Sequence, residues 1–467
     1  MFDLIIRGGE VVTPEGVVGC DVAVAGETIA ALAASGTLAA DSAKRVLDAT
    51  GRIVMPGGID PHVHMHHVWI KPDGTPLVTA GPDQVGRAAL FGGTTTLIDF
   101  AYWRDGATAQ QAVEARDKDF AGNSPCDWAY HIMLHSEPPH EFSGQLAEAI
   151  QAGYPTLKIF TTNILPGRSG RMIDFGDIWE AFQVMAKEGG LGVIHAEDND
   201  IVMHMYAKLI RENRVGFENL AEVHNQLSED LRFRRLQRLA ESVPGTALYM
   251  MHVSAGTGVD AIAEARRKGL AVYGETLHQY LLYSANDYKR PNGQIYHTYP
   301  SLKSEDDQRA LWHGTANDVI HCVATDELCC TLKEKTLGNR IDDTTGGNSG
   351  VEPRVGVMYT EMVARRGYSL SRFVDLVSTN AAKIMGLYPR KGAIAVGSDA
   401  DIVILDPTRR GKVRAADLHE TDYTPWEGHD IFAWPVVTLS RGKIMVENGQ
   451  YFGSTNDGRY LKPKMSS

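Results

Sequence analysis

Cysteine is scarce in this sequence. Among 467 residues there are five: Cys20, Cys126, Cys322, Cys329 and Cys330. An odd number without regular spacing excludes a disulfide framework and points to a reducing compartment. Cys329-Cys330 lacks the CxxC spacing of redox or metal chemistry and reads as inert thiols. No run approaches about 18 consecutive apolar residues, so no membrane span is expected. The opening Met1-Phe2-Asp3-Leu4-Ile5-Ile6-Arg7 has neither the basic start nor the long apolar stretch of a secretory leader, and a cytoplasmic location is expected. Basic runs are missing too. Lys and Arg number 46 against 58 Asp and Glu, a net charge of −12, so nucleic acid is not an expected partner. There is no low-complexity tract and no short-period repeat.

What is present is length and alternation. A chain of 467 residues is too long for one small core and suits a large barrel with a smaller accessory domain. The first 55 residues read as short strands (Phe2 to Arg7, Glu10 to Thr13, Asp21 to Val24) separated by Gly8-Gly9, Pro14-Glu15-Gly16 and Gly26. The pattern returns near the end: Ala400 to Pro407, then Val436 to Leu439 and Lys443 to Val446 around Ser440-Arg441-Gly442, a hairpin turn. These terminal segments are expected to pair in one β-sandwich domain.

Between them, apolar strands alternate with helices. The strands are the run ending at Ile59-Asp60-Pro61-His62, then Thr94 to Asp99, Trp128 to Leu134, Thr156 to Phe160, Leu191 to His195, Ala247 to Ser254, Ala271 to Thr276 and Val319 to Asp326. Asp177 to Lys187 reads as one helix, with Ile178, Phe182 and Met185 on one face, and Val259 begins another that Gly269 closes. Continuous apolar strands alternating with helices mean a buried parallel sheet. Eight units predict an α/β fold, a (β/α)8 barrel of TIM type. The expected domains are 1–55 and 391–467 for the β-sandwich and tail, and 56–390 for the barrel.

Most strand ends carry a metal-capable residue. His62 and His64, at i and i+2 of an extended segment, share a face and can reach one ion. His195, His252 and Asp326 end strands five, six and eight, and Lys158 ends strand four. The C-terminal strand ends of such a barrel converge on one face, where its active sites lie. His131 and His321, inside apolar strands, read as satisfied core groups. Lys158 as an ammonium has no lone pair. Burial should lower its pKa, and a neutral amine can take up CO2 to become a carbamate with two oxygens. The plainer alternative is a buried lysine paired with an acid such as Asp326.

Longer motifs carry a resemblance. They are Met55-Pro56-Gly57-Gly58-Ile59-Asp60-Pro61-His62-Val63-His64, Gly92-Gly93-Thr94-Thr95, Leu157-Lys158-Ile159-Phe160, Val193-Ile194-His195-Ala196-Glu197, Met251-His252-Val253-Ser254, Gly274-Glu275-Thr276 with Gln279-Tyr280, Gly397-Ser398-Asp399-Ala400-Asp401 and Trp426-Glu427-Gly428. Across nearly the whole chain these segments resemble the cyclic amidohydrolases of the hydantoinase and dihydropyrimidinase family. The resemblance implies that His62, His64 and Asp326 bind one metal, that His195 and His252 bind a second, and that carbamylated Lys158 bridges them. It implies zinc, with manganese or cobalt also compatible with such ligands. The implied reaction opens a cyclic amide, ureide or imide. Water activated between the ions attacks the carbonyl, and Asp326 is base and then acid. A small cyclic amide is the expected partner and a homotetramer the expected assembly, with the tail Gly458-Arg459-Tyr460-Leu461-Lys462-Pro463 reaching a neighbour. The alternatives are another superfamily reaction, deaminating a heterocycle or cleaving an acyclic amide, and a non-catalytic scaffold. Lys158 speaks against deaminases, which lack it, and the complete ligand set speaks against a scaffold.

The family's substrate contacts are less faithfully kept. The oxyanion-holding tyrosine expected five residues after the bridging lysine is Asn163. The serine before the proline-rich contact segment is Tyr299, in Tyr299-Pro300-Ser301-Leu302-Lys303. A contacting asparagine aligns with Gly346, with Asn348 as a nearby substitute or a shift of register. Tyr299 is expected either to supply the missing phenol or merely to shape the pocket. The implied chemistry is kept and the substrate is changed. The loop Met65-His66-His67-Val68-Trp69-Ile70-Lys71-Pro72-Asp73-Gly74 reads as a lid, with His66 and His67 as substrate contacts or extra ligands and Trp69 as a pocket wall or a packing residue.

Overall fold

The computed structural model describes residues 1–70, 76–135, 137–168 and 171–465. Its centre is an eight-stranded parallel sheet in sequential order: β1 (Gly58–Asp60), β2 (Thr94–Arg104), β3 (Asp127–His135), β4 (Thr156–Phe160), β5 (Leu191–His195), β6 (Ala247–Met250), β7 (Ala271–Leu277) and β8 (Cys322–Ala324). All eight expected strands are present and pair in chain order, which rolls the sheet into a barrel. Beyond the ends of β1 and β8, His64 N donates to Glu327 O (2.7 Å) and Glu327 N to His62 O (3.3 Å), which draws the sheet's two edges together. Thr325 Oγ1 adds a bond to Asp60 Oδ2 at 2.7 Å.

Helices cover the outside. Phe175–Glu188 buries Ile178, Ala181, Phe182 and Met185, the i, i+3, i+4, i+7 pattern of one apolar stripe. It stops at Gly189, whose left-handed backbone (φ +77°) a residue with a Cβ would adopt only under strain. Thr108 and Gln111 form a reciprocal capping box before Ala109–Phe120. Among the described residues no helix is long and apolar enough to cross a membrane.

The terminal segments build a ten-stranded sheet of their own. Ile53–Pro56 runs antiparallel to Ile402–Asp406 and parallel to Glu10–Thr13, so both chain ends share one ladder. This single curled sheet wraps a small core of Leu4, Ile6, Val22, Val54, Ile402 and Leu439. The hairpin Trp434–Ser440/Lys443–Glu447 turns on Arg441 and Gly442, both with positive φ, as a tight two-residue connection requires. A buried ionic cluster joins this sheet to the base of the barrel. Lys391 Nζ lies 2.6 Å from both Asp127, the first residue of β3, and Asp401, and 3.0 Å from Asp399.

Candidate metal centre at the barrel mouth

The segment after β1 is held from below. Asp60 Oδ1 accepts the His62 amide (3.2 Å), and His131 Nε2 donates to Pro61 O (3.0 Å). That contact gives His131 the satisfied core role expected of it. Burial lowers its pKa to about 3. His321 is likewise engaged, with Nδ1 accepting the Gly274 amide. His62 and His64 then project together into the mouth, and Phe100 of β2 stacks on His64 with centroids 4.5 Å apart. Beyond them, Asp99 accepts the Met65 amide (2.8 Å) and pairs with Arg116 (2.7 Å), anchoring the start of the next loop.

His252 and Asp326 each lie two residues past a strand end. Their φ angles of +37° and +54° are left-handed, a strained setting for non-glycine residues and one that concentrates at functional sites. Asp326 Oδ1 lies 3.0 Å from His62 Nε2 and 3.2 Å from His64 Nε2, and the two nitrogens are 3.3 Å apart. His195 Nδ1 lies 2.9 Å from His252 Nε2. Ligand atoms about 2.0–2.2 Å from one tetrahedral ion stand about 3.3 Å from each other. The donor set fits a divalent cation on that spacing and on its chemistry, since nitrogens and a carboxylate converge.

Three of the four imidazoles have their lone pairs available. Burial takes His195 down to about 4, His252 well below the usual range, and His64 down as well. Burial would lower His62 too, but Asp326 and Glu275 outweigh it and raise it to about 9. Burial would raise Asp326, yet His62 and His64 hold it well below the ordinary carboxylate range. Lys158 is buried, its Nζ 4.7 Å from the Phe160 ring centroid and 2.7 Å from Met251 Sδ. Among the described residues no carboxylate pairs with it, contrary to the plainer alternative, and burial lowers its pKa to about 7.

Two carboxylates whose roles the sequence did not reveal orient these ligands. Glu275 Oε1 accepts His62 Nδ1–H at 2.8 Å and the His252 amide at 3.1 Å, while Tyr249 OH donates to Oε2 at 2.9 Å. Glu197 accepts His195 Nε2–H and His224 Nδ1–H, both at 2.8 Å, and His224 Nε2 meets Tyr206 OH at 2.9 Å. Such outer partners set the tautomer and raise ligand basicity. Both glutamates sit in the motifs quoted above, but nothing in their spacing distinguishes an orienting carboxylate from a core one. Thr298 Oγ1 donates to Asp326 Oδ2 in a short bond.

A cleft above the ligands is lined further by His67, Tyr102, Met133, Phe160, Ile164, Arg168, Arg171, Thr298, Tyr299, Leu328, Gly346 and Gly347. Of the expected substrate contacts, Tyr299 and Gly346 reach it; Asn163 and Asn348 are not among its described lining. The Asn163 Oδ1 instead accepts the amides of Arg171 (3.2 Å) and Met172 (3.0 Å), closing the loop that follows β4. Tyr299 and Gly346 touch each other: a Cβ at 346 would collide with the Tyr299 ring. The ring at 299 thus fits against the bare backbone at 346. Tyr299 OH points to Thr344 O (3.4 Å), and its ring packs against His224 and His297. Lys335 Nζ donates to the carbonyls of His297, Thr345 and Gly347, binding both strips of chain together. In the expected lid, His67 lines the cleft and bonds to Tyr102 OH, whereas His66 is half-exposed and pairs with Asp119 at 3.0 Å. Residues 71–74 of that segment lie outside the described residues. The backbone of Trp69 belongs to strand Val68–Ile70, and its side chain too lies outside what is described.

The chain matches the family model described as "Amidohydrolase family" over residues 53–445. It is 34% identical to the D-hydantoinase of Geobacillus stearothermophilus over 466 residues, covering 98% of this chain and 96% of that one. Two solved structures match with TM-scores of 0.93 and full coverage of both chains. They are the dihydropyrimidinase of Brevibacillus agri NCHU1002, 31% identical, and the D-hydantoinase of a Bacillus sp. AR9, 32% identical. The chain belongs to the amidohydrolase family, as a cyclic amidohydrolase of the hydantoinase type.

Proposed function

We propose that this protein opens the ring of a cyclic amide, ureide or imide at a binuclear metal centre. The observation that carries this reading is the convergence of four imidazoles, Asp326 and an acid-free buried lysine on one barrel mouth. His62, His64 and Asp326 would hold one ion and His195 and His252 the other. Lys158, with a substantial neutral fraction near pH 7, would attack CO2 through Nζ, lose a proton and offer the two carbamate oxygens as a bridge. Zinc suits these ligands, with manganese or cobalt as alternatives. When bound, the ions polarise the carbonyl and acidify water.

The side chains do the rest. Asp326 faces the ions through Oδ1 and is fixed by Thr298 at Oδ2, the position for a base that removes a proton from water and returns it to the leaving nitrogen. Glu275 and Glu197 keep the ligand tautomers fixed through turnover. Tyr299, held by its packing against Gly346, shapes the cleft. Five buried free thiols favour a cytoplasmic setting, and the family resemblance implies a homotetramer. The test is metal analysis with a hydrolysis screen over hydantoin, dihydrouracil, succinimide and phthalimide. About two ions per chain and ring opening of at least one compound are expected. A metal-free, inert protein would sink the reading.

A further inference from the structure

One wall of the cleft is cationic. Arg168 and Arg171 rise from the loop after β4 and line the same space as the metal ligands. The Arg171 amide is fixed by Asn163, and its guanidinium lies 4.9 Å over the Phe160 ring. Lys158 Nζ lies 4.7 Å from the same ring centroid, so Arg171 stands within about 10 Å of the metal bridge position, one small molecule's length. Among the described residues Arg171 has no ion pair. Asp326 is the one carboxylate in the described lining, and it is already engaged by His62, His64 and Thr298.

The excess charge is felt around it. Burial and the neighbouring Arg171 lower Arg168 to about 9, and burial lowers Arg171 as well. Burial and then nearby cations, both arginines among them, lower His67 and His135. A cation partly withdrawn from solvent is ordinarily paired, because unpaired it gives up hydration without return. Arg171 has no such anion among the described residues. The metal centre does not provide one, since two dications outweigh the charges of Asp326 and a carbamate. A planar guanidinium fits a carboxylate through two parallel hydrogen bonds.

We propose that the substrate is a cyclic amide bearing a carboxylate on a ring substituent, and that Arg171, with Arg168 beside it, binds that carboxylate. The proposal rests on the ring-opening reading and narrows it to an anionic substrate.

A near-isosteric pair tests it: the hydantoin of glutamate, with a carboxyethyl arm, and the hydantoin of glutamine, with a carbamoylethyl arm. The metal-loaded protein is expected to prefer the carboxylate by about tenfold or more in kcat/KM, mainly through KM, and to lose that preference as salt rises. Arg171→Gln should collapse the ratio towards one by raising KM for the carboxylate. Arg171→Lys, which keeps the charge but not the fork, should retain part of it. Equal use of both compounds by the unaltered protein, or an unchanged ratio in a folded, metal-loaded Arg171→Gln, would overturn the anionic substrate and leave ring opening standing. If neither member of this pair nor any compound of the hydrolysis screen is opened, the ring-opening reading fails. Calorimetric binding of the pair then decides the cationic wall: tighter carboxylate binding that needs Arg171 supports it, and equal binding overturns it.

Discussion

Lys158 and Lys391 are equally buried and lie at opposite ends of the barrel. At the base, Lys391 is enclosed by Asp127, Asp399 and Asp401, with Arg441 also on Asp127. Burial alone would lower its pKa, but Asp401 and Asp127 outweigh burial and raise it. At the mouth, Lys158 has aromatic rings and a thioether for neighbours, and burial lowers it to about 7. The difference separates a structural lysine from a reactive one. A cation with its full complement of carboxylates locks two domains together. An amine without one is stored in the form that can react.

The comparison can be broken in five places, taken in falling order of effect. Lys158→Ala and Asp326→Asn should each lower turnover by at least about a thousandfold in steady-state assays at saturating metal. Near-normal rates in Lys158→Ala would remove the carbamate. Lys391→Met should leave Asp127, Asp399 and Asp401 short of a cation and cost about 3–5 kcal/mol in denaturant unfolding. A loss below about 1 kcal/mol would show that the base does not depend on it. Lys158→Met should do the opposite in metal-free protein, stabilising it by about 2–4 kcal/mol at pH 7. Between the folded value of about 7 and the unfolded value of about 10.4, the unfolded chain binds more protons at Lys158. Stability of the unaltered metal-free protein should therefore climb over that range, relative to Lys158→Met, and parallel pH curves for the two would contradict the lowered pKa. Glu197→Gln should weaken metal binding about 10–100-fold by competition with a chelator, since His195 loses the partner that orients it. Tyr299→Phe should change kcat by less than about twofold, because its hydroxyl is aimed at Thr344 O; a larger fall would restore the oxyanion role.

Much of this architecture is legible in the sequence. Strands such as Leu191–His195 are continuous apolar runs, and that pattern has one common structural outcome, a sheet buried on both faces. The metal-capable residues stand out because each terminates such a run. The boundaries are less legible. His252 and Asp326 read as strand residues, yet the ladders end at Met250 and Ala324 and the chain turns left-handed at both His252 and Asp326. Loop residues are the least legible. Asn163 aligned with a substrate contact but is a backbone acceptor, and Arg168 and Arg171 carry no periodicity to announce them. The partners of Lys391 are up to 264 positions distant and are chosen by the docking of one domain on another. No local pattern encodes that choice.

The contact between Tyr299 and Gly346 also has a historical consequence. If Tyr299 and Gly346 occupy the family's serine and asparagine positions, and that arrangement is the ancestral one, the order of the two mutations was constrained. The glycine had to appear first, since the tyrosine ring occupies the space of any Cβ at 346. The reverse path carries the same rule: Gly346→Asn alone should fail, and should become tolerable only after Tyr299 has been reduced. The pair is a ratchet, and an engineer changing the ring this protein accepts must turn it at position 299 first.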